Sequence, residues 1–197
     1  MIVVGISAVV LVVAALSVTR SYNRFIEQRQ LIDNSWSNVD TELQRRHDLV
    51  PNLVETVRGY AAHERATFDS VITARQAAIA ADPSAVGRAG AENQLVGGLR
   101  KLVAVAEAYP DLRASEHFLE LQAELSGTEN RIQAARRIFN GNIREYNRRI
   151  DSFPSLVIAH LFHFAHAAYF ELEPLVRETG APAVDLVSTG DTRHIGR

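Results

Sequence analysis

The sequence predicts an all-α protein in which an amino-terminal transmembrane helix is followed by an elongated antiparallel bundle of long helices. Three patterns predict it. The first 19 residues carry no charge, apolar residues recur in steps of three and four from Tyr22, and another apolar series recurs at every seventh position from Phe118 to Phe153. Steps of three and four are typical of helices that pack side by side. No strand-like alternation of useful length occurs before residue 150.

Length and composition limit the class of protein. The 197 residues are enough for one ordinary domain with an appendage, and for a core that folds without covalent cross-links. The absence of cysteine excludes disulfides, thiolate metal ligands and a cysteine nucleophile. A net charge of −2 argues against a dedicated nucleic-acid binder, which normally carries a basic excess. We therefore expect no nucleic acid among the partners.

The charge-free segment, residues 1–19, predicts a transmembrane anchor. As a helix it covers roughly 28 Å, close to the hydrocarbon thickness of a bilayer. A cleaved signal peptide with a small-residue site at residues 15–17 is one alternative, and a buried core helix is another. Arg20, Arg24 and Arg29 follow the segment, and this excess of cations predicts that the bulk of the chain is cytoplasmic. The expected location is the cell membrane, as a single-pass protein.

An apolar stripe predicts the first long helix. Its members are Phe25, Ile32, Trp36, Val39, Leu43, Val50, Leu53, Val57 and Tyr60. Pro51 removes an amide donor, which predicts a kink or break near residues 48–51, but the stripe keeps its register there. A kinked but continuous helix is therefore the preferred prediction. Arg46 occupies a position of the stripe, and we expect it to have an acidic partner because an unpaired charge there would be costly.

The remaining helices follow a predicted loop over residues 80–90, where proline, glycine and serine cluster. A shorter helical segment then ends before Pro110, and Ser115 is the expected N-cap of the last long helix. The positions at spacing seven in that helix are Phe118, Leu125, Ile132, Phe139, Tyr146 and Phe153. Asn140 and Asn147, also seven residues apart, are expected to form hydrogen bonds across helices.

Charge is sorted along the last long helix. Residues 111–130 contain five acidic residues and one arginine, for a net charge of −4. Residues 131–149, the basic block, contain six arginines and one glutamate, for a net charge of +5. Such blocks usually pair with neighbouring helices or lie in solvent. The functional alternative is a patch for anionic lipid head groups, to which each cation contributes about 1 kcal/mol near the surface.

Residues 152–170 form a second stretch without formal charge. We expect a helix packed across the end of the bundle; a segment in the membrane interface and a second membrane span are the alternatives. His160, His163 and His166 fall at spacing three, so adjacent pairs could reach a common metal ion. Three residues at this spacing drift around a helix, so we expect exposed or hydrogen-bonded histidines. From Pro174 the composition predicts a disordered tail.

No motif predicts catalysis. The histidines of the helical region lack a glutamate three residues earlier, which di-iron helix bundles use. His63-Glu64 begins like a zinc-protease motif, but position 67 is Thr67 rather than histidine. The nucleophile elbow, the phosphate-binding loop and the dinucleotide fingerprint are absent from the sequence. We therefore predict no catalytic, cofactor-binding or metal-binding residues and a protein that is not an enzyme.

Several long motifs carry a family resemblance. The sequence reads QRRHDLVPNLVETVRGYAAHE over residues 44–64, FLELQAELSGTENRI over 118–132 and ARRIFNGNIREYNRRIDSFPS over 135–155. Shorter matches are YN at 22–23, YPDL at 109–112, LF at 161–162 and YFE at 169–171. Over residues 1–173 the chain resembles the LemA family of bacterial membrane proteins. The resemblance implies one amino-terminal transmembrane helix, a long antiparallel helical domain, and no known enzymatic activity or cofactor.

The resemblance also implies a range of functions. The family includes MamQ-like proteins that shape magnetosome membranes, which favours a non-enzymatic scaffold that organises or remodels the membrane. The alternative is a membrane-tethered adaptor that recruits a protease, secretion or signalling partner, and a metal-dependent enzyme using the three histidines comes third. The expected partners are the lipid bilayer, anionic lipids, and a second copy or another protein. The predicted parts are an anchor at residues 1–19, a LemA-like bundle at 20–173 and a tail at 174–197.

Overall fold

The computed structural model describes residues 2–175, which form helices and no strand. The helices are α1 (Ile2–Arg58), α2 (Arg65–Ala80), α3 (Ala85–Glu107), α4 (Pro110–Arg113), α5 (Glu116–Asp151) and α6 (Ser155–Leu161). The all-α prediction is confirmed. Most of the predicted tail, residues 176–197, lies outside the described residues.

The two long helices, α1 and α5, lie antiparallel and form the axis of the bundle. Contacts between them run in opposite directions along the chain: Phe25 with Tyr146, Ser35 with Asn142, Trp36 with Phe139, Glu42 with Arg131 and Arg46 with Glu129. The apolar stripe of α1 and the series at spacing seven on α5 meet in this contact. Helices α2 and α3 pack against each other and against α1 beyond Trp36, which completes the main core.

Helix α1 runs without interruption from Ile2 to Arg58 and includes Pro51, as the register of its stripe predicted. Because the nitrogen of Pro51 carries no hydrogen, the carbonyl of His47, four residues earlier, lacks its helical donor. Arg75 of α2 supplies the donor: its Nε lies 2.7 Å from the His47 carbonyl oxygen. The helix therefore passes the proline with this carbonyl satisfied by a side chain from the neighbouring helix.

Two predicted boundaries are wrong. The stripe predicts a helix that extends to Tyr60, but α1 ends at Arg58, and Tyr60 lies exposed in a turn of residues 59–64. This turn brings Ala61 into the core and lets α2 pack back on α1. The predicted loop at 80–90 is helical from Ala85, because Ser84 caps α3 by accepting the amide of Gly87 at 3.1 Å.

The carboxy-terminal segment also differs from the single helix predicted for residues 152–170. Only Ser155–Leu161 is helical; His163 then turns the chain with a φ of 57°. Residues 164–175, which we call the strap, run as extended chain along the bundle. Asn147 and Asn140 hold the strap, so their predicted cross-helix bonds are made to extended backbone instead.

The strap is held through paired hydrogen bonds. The side-chain amide of Asn147 donates to the carbonyl of Ala167 at 2.9 Å and accepts its N–H at 2.9 Å. Asn140 makes the same pair of bonds with Phe170, each at 3.0 Å. Near the end of the strap, Asn93 of α3 accepts the N–H of Glu173 at 2.8 Å. The strap thus pairs several of its backbone groups with side chains of two helices rather than with a neighbouring strand.

Candidate functional site

The apolar beginning of α1 is the first candidate functional element. Among residues 2–175, this is the one helix that is long and apolar enough to cross a membrane, and its apolar window is 0% buried in the protein. The core-helix alternative is therefore wrong. The hydroxyls of Ser7, Ser17 and Thr19 each donate to the carbonyl four residues earlier, at 2.9, 2.8 and 3.0 Å. The polar groups are thus satisfied within the helix, as a hydrocarbon environment requires.

The end of the bundle nearest this apolar segment has its own small core. Phe25 stacks on Phe164 with ring centroids 4.6 Å apart and meets Tyr146 edge to face at 6.0 Å. Tyr22 contacts Phe162 at 4.9 Å, and Val18 packs against the same group of side chains. This small core joins α1 to the end of α5 and to α6, directly after the charge-free segment.

Four large apolar side chains at this end face solvent. Phe153 is 82% exposed, Val157 55%, Leu161 64% and Phe162 43%; we call this group the apolar ridge. Phe153 was predicted to continue the buried series at spacing seven. It does not, because α5 ends at Asp151 and the helical register ends with it. The ridge is thus a product of the turn between α5 and α6.

The arginines of the basic block have two kinds of environment. Arg131 pairs with Glu42 at 2.8 Å, Arg136 donates to the carbonyl of Leu172, and Arg149 donates to Gln28 at 2.7 Å. These three stabilise the bundle and the strap. At the end nearest the charge-free segment Arg148 donates to Glu145 at 2.7 Å, and this bond, with the charges of Arg149 and Arg24, lowers the pKa of Glu145.

The three histidines singled out in the sequence are exposed and do not form a ligand cluster. His160 lies in α6, His163 occupies the turn after it, and His166 lies in the strap with its Nε2 3.0 Å from Asp151 Oδ1. Among the residues that the structure describes, no group of three or more histidine, aspartate or glutamate side chains is arranged to hold a metal ion.

A buried charge cluster lies at the centre of the bundle. The guanidinium of Arg46, fully buried, donates to Glu92 of α3 at 2.5 Å and to Glu129 of α5 at 3.1 Å. His47 Nε2 lies 2.9 Å from the second oxygen of Glu92. The expected acidic partner of Arg46 is confirmed, and there are two of them. The cluster connects three helices through charge-assisted hydrogen bonds.

Burial alone would raise the pKa of Glu92, but the hydrogen bond with His47 and the charge of Arg46 outweigh it, so its pKa lies below the ordinary value of 4.5. Sequence reasoning identified Arg46 but missed both glutamates. A usable signal existed: Glu92 extends, at helical spacing, the apolar positions Leu95, Leu99 and Leu102. A carboxylate on an apolar face is a candidate partner for a buried cation.

These features define a class: an antiparallel helical-bundle protein whose longest helix begins as a candidate membrane span. The chain belongs to the LemA family, whose model matches residues 35–186. This match confirms the resemblance to the LemA family that the sequence motifs indicated.

The chain is also similar to named bacterial proteins. Magnetosome protein MamQ of Magnetospirillum gryphiswaldense is 25% identical over 195 residues, covering 86% of this chain and 72% of that protein. Magnetosome protein MamQ 2 of Paramagnetospirillum magneticum is 25% identical over 197 residues, covering 87% and 72%. Protein LemA of Metamycoplasma hominis is 23% identical over 155 residues, covering 79% and 71%.

Proposed function

We propose that the protein is a membrane-anchored, non-enzymatic scaffold that organises or remodels the bilayer. The observation that carries the proposal is the continuity of α1, which passes from the charge-free segment into the core of the bundle without a linker. Val18 and Tyr22, directly at this transition, are packed against α6 and the strap. A bundle fixed in this way transmits its orientation to the membrane, which a bundle on a flexible tether does not.

The proposed location is the cell membrane, with the bundle on the cytoplasmic side. Three arginines within ten residues follow the charge-free segment, and cations near the end of a span favour the cytoplasmic face. Two of the cited relatives are named as magnetosome proteins, and none of the cited names gives an enzymatic activity. Both observations support a scaffold. The exposed and separated histidines give no support to the metal-enzyme hypothesis.

Alkaline extraction of isolated membranes tests the anchor. The full chain should remain with the membrane pellet, and its mass should include the apolar segment. Replacing Val10 and Leu11 by arginine should release it, because each arginine near the centre of a span opposes insertion by about 2.5–3.5 kcal/mol. Ile138→Arg is the matched control, since Ile138 is 62% exposed on the bundle and should tolerate the charge. Release of the unaltered chain, or cleavage near Ser17, would refute the anchor.

Protease treatment of spheroplasts tests the side of the membrane. The bundle should resist protease in intact spheroplasts and be digested after the membrane is opened. Digestion in intact spheroplasts would place the bundle outside the cytoplasm and contradict the proposed orientation.

Reconstitution separates the scaffold from the adaptor. The purified full chain in vesicles should self-associate and change vesicle shape as protein density rises, without another protein present. Unchanged vesicles at high density, together with one partner crosslinked stoichiometrically in the native host, would instead favour a membrane-tethered adaptor for a protease, secretion or signalling component.

A further inference from the structure

The apolar ridge (Phe153, Val157, Leu161 and Phe162) has an unusual position. Its side chains cluster at one end of the bundle, whereas other exposed apolar residues, such as Leu119 and Ile138, lie singly along α5. Val157 and Leu161 are four residues apart and therefore lie on one face of α6, opposite to the buried Ile158 and Ala159. Helix α6 thus has one apolar face packed on the bundle and a second apolar face left in water.

The position of the ridge along α1 determines whether its side chains can contact the membrane. Phe162 contacts Tyr22, three residues beyond the end of the charge-free segment, and the core that includes Ile158 and Ala159 packs against Val18, inside that segment. At 1.5 Å per residue, α6 lies within about one helical turn of the end of the span. Interfacial helices bury their apolar face about 5–10 Å into the boundary between head groups and acyl chains. The ridge is at the height of this boundary.

The charges around the ridge complement a lipid surface. Arg20 and Arg24 lie on α1 where it leaves the span, and Arg148 lies near the end of α5 with a side chain 70% exposed. Two nearby acidic groups have partners: Glu145 pairs with Arg148, and Asp151 lies 3.0 Å from His166 Nε2; Glu27 is exposed on α1 between Arg24 and Arg29. Arginines at the rim of an apolar face are placed to meet phosphate groups while the face enters the acyl region.

We propose that the apolar ridge is a second membrane-contact site, inserted in the leaflet from which α1 emerges. The proposal rests on the proposed anchor, because α1 sets the height of the ridge. It commits to lipid rather than to a second copy of the chain, since Phe162 of the ridge contacts Tyr22 just beyond the charge-free segment and cations flank the ridge. With two contacts, the span and the ridge, the bundle is fixed against tilting as well as against leaving the membrane.

Single-cysteine labelling of the full chain tests the proposal, and the sequence contains no cysteine to remove. The variants Val157→Cys and Leu161→Cys carry an environment-sensitive fluorophore, with one chain in each nanodisc of phosphatidylcholine and phosphatidylglycerol. Both labels should shift to blue emission and be quenched by lipids that carry a spin label near the head group. Ile138→Cys, an exposed apolar position on the bundle, should keep the emission of a label in water. Val10→Cys reports the anchor itself.

The outcomes separate the two proposals. A label at position 10 in lipid with labels at 157 and 161 in water would overturn the second contact while the anchor stands. A label at position 10 in water would overturn both. A blue shift at 157 that needs two chains in each nanodisc would assign the ridge to self-association and also overturn the proposal.

A charge substitution gives an independent measurement. In the Val157→Cys protein, Leu161→Glu should weaken the lipid quenching, whereas Leu119→Glu, at a half-exposed site on α5, should leave it unchanged. Both substitutions alter solvent-exposed side chains, so the Trp36 emission should report an intact bundle in each. Equal quenching in all three proteins would contradict lipid contact at the ridge.

Discussion

At the scale of the residue, Arg46 shows how a buried cation connects three helices. It is fully buried and shared between Glu92 and Glu129, so each carboxylate depends on the same guanidinium. Gln133 supports the arrangement by donating to the second oxygen of Glu129 at 2.7 Å. Removing one member of such a cluster leaves uncompensated charge in the core, which costs far more than losing an exposed ion pair.

The neighbouring arginines provide a matched test. We expect Arg46→Met to lower the free energy of unfolding by about 3–5 kcal/mol, because two buried carboxylates lose their cation. Arg45→Met should cost less than about 1 kcal/mol, since Arg45 is 55% exposed and pairs only with Glu42 one turn away. Urea titration of the full chain in detergent micelles, followed by the fluorescence of the single tryptophan Trp36, measures both. Equal losses would contradict a structural role for the cluster.

Glu92 gives the cluster a pH dependence. Its folded-state pKa lies below the ordinary 4.5, so its contribution is present above about pH 4.5 and is lost as the pH falls through the lower folded-state value. We expect the free energy of unfolding to decrease below pH 4.5 in the unaltered protein. The Glu92→Gln protein should start lower and decrease less over the same range. Parallel curves for the two proteins would assign the acid sensitivity to other groups.

At the scale of the element, α1 depends on a neighbour to pass Pro51. The donor that Pro51 lacks is replaced by Arg75 Nε, which bonds the His47 carbonyl at 2.7 Å. The bond comes from α2, so the same contact that completes α1 also fixes α2 against it. The side chain of the same residue, His47, belongs to the buried charge cluster. The proline, Arg75 and the cluster therefore lie in one connected region.

A double-mutant cycle tests this substitution of one donor for another. We expect Arg75→Met to cost about 1.5–3 kcal/mol, the contribution of a hydrogen bond from a charged group. In a Pro51→Ala background the cost should be smaller, because the new amide of residue 51 donates to the His47 carbonyl. The same urea titration provides all four free energies. A cost that is identical in both backgrounds would show that Arg75 acts in some other way.

The strap depends on asparagines, and hydrogen exchange can show this locally. We expect Asn140→Leu to speed exchange of the Phe170 amide, which loses the side-chain oxygen that accepts its proton. Asn142→Leu is a control in the same helix, because Asn142 bonds Leu31 and Ser35 of α1 rather than the strap. If Phe170 keeps its protection in the Asn140 variant, the strap is held by its apolar side chains instead.

The sequence predicts the helices that are determined by the spacing of nearby residues. The series at spacing seven predicted α5 from Phe118 to Tyr146, and the stripe of α1 kept its register through Pro51. The turn after Arg58 was missed because Val57 and Tyr60 sit three residues apart whether or not the helix ends between them. The boundary depends on how α2 packs, and this packing is a long-range property that no spacing reveals.

The candidate sites were predicted only in part, for a similar reason. The charge-free segment and the need of Arg46 for an acid are visible in single residues and their spacing. The partners Glu92 and Glu129 come from other helices, 46 and 83 residues away. The apolar ridge exists only because α5 ends at Asp151, near the point where the charge-free segment of α1 ends. The strap is held by asparagines 20 and 30 residues earlier in the chain.

At the scale of the whole molecule, α1 is a continuous helix of 57 residues, about 86 Å long. About a third of it lies in the charge-free segment, and the rest forms the longest helix of the bundle. The helix α5 returns along it, and α6 and the ridge lie where the charge-free segment ends. With the proposed anchor, the molecule is a rod attached to the membrane by one end, and the turn of residues 59–64 lies at its far end.

The height of that far turn above the bilayer tests the account most directly. A fluorophore on Ala62→Cys of the full chain, in vesicles with acceptor dyes on the lipid head groups, measures it by energy transfer. With α1 at the usual tilt of a transmembrane helix, we expect the label about 50–60 Å from the membrane surface, and a label on Asn23→Cys within about 10 Å. Strong energy transfer from both positions would show that the rod lies flat on the membrane or hangs from a flexible joint, and would contradict a rigidly anchored scaffold.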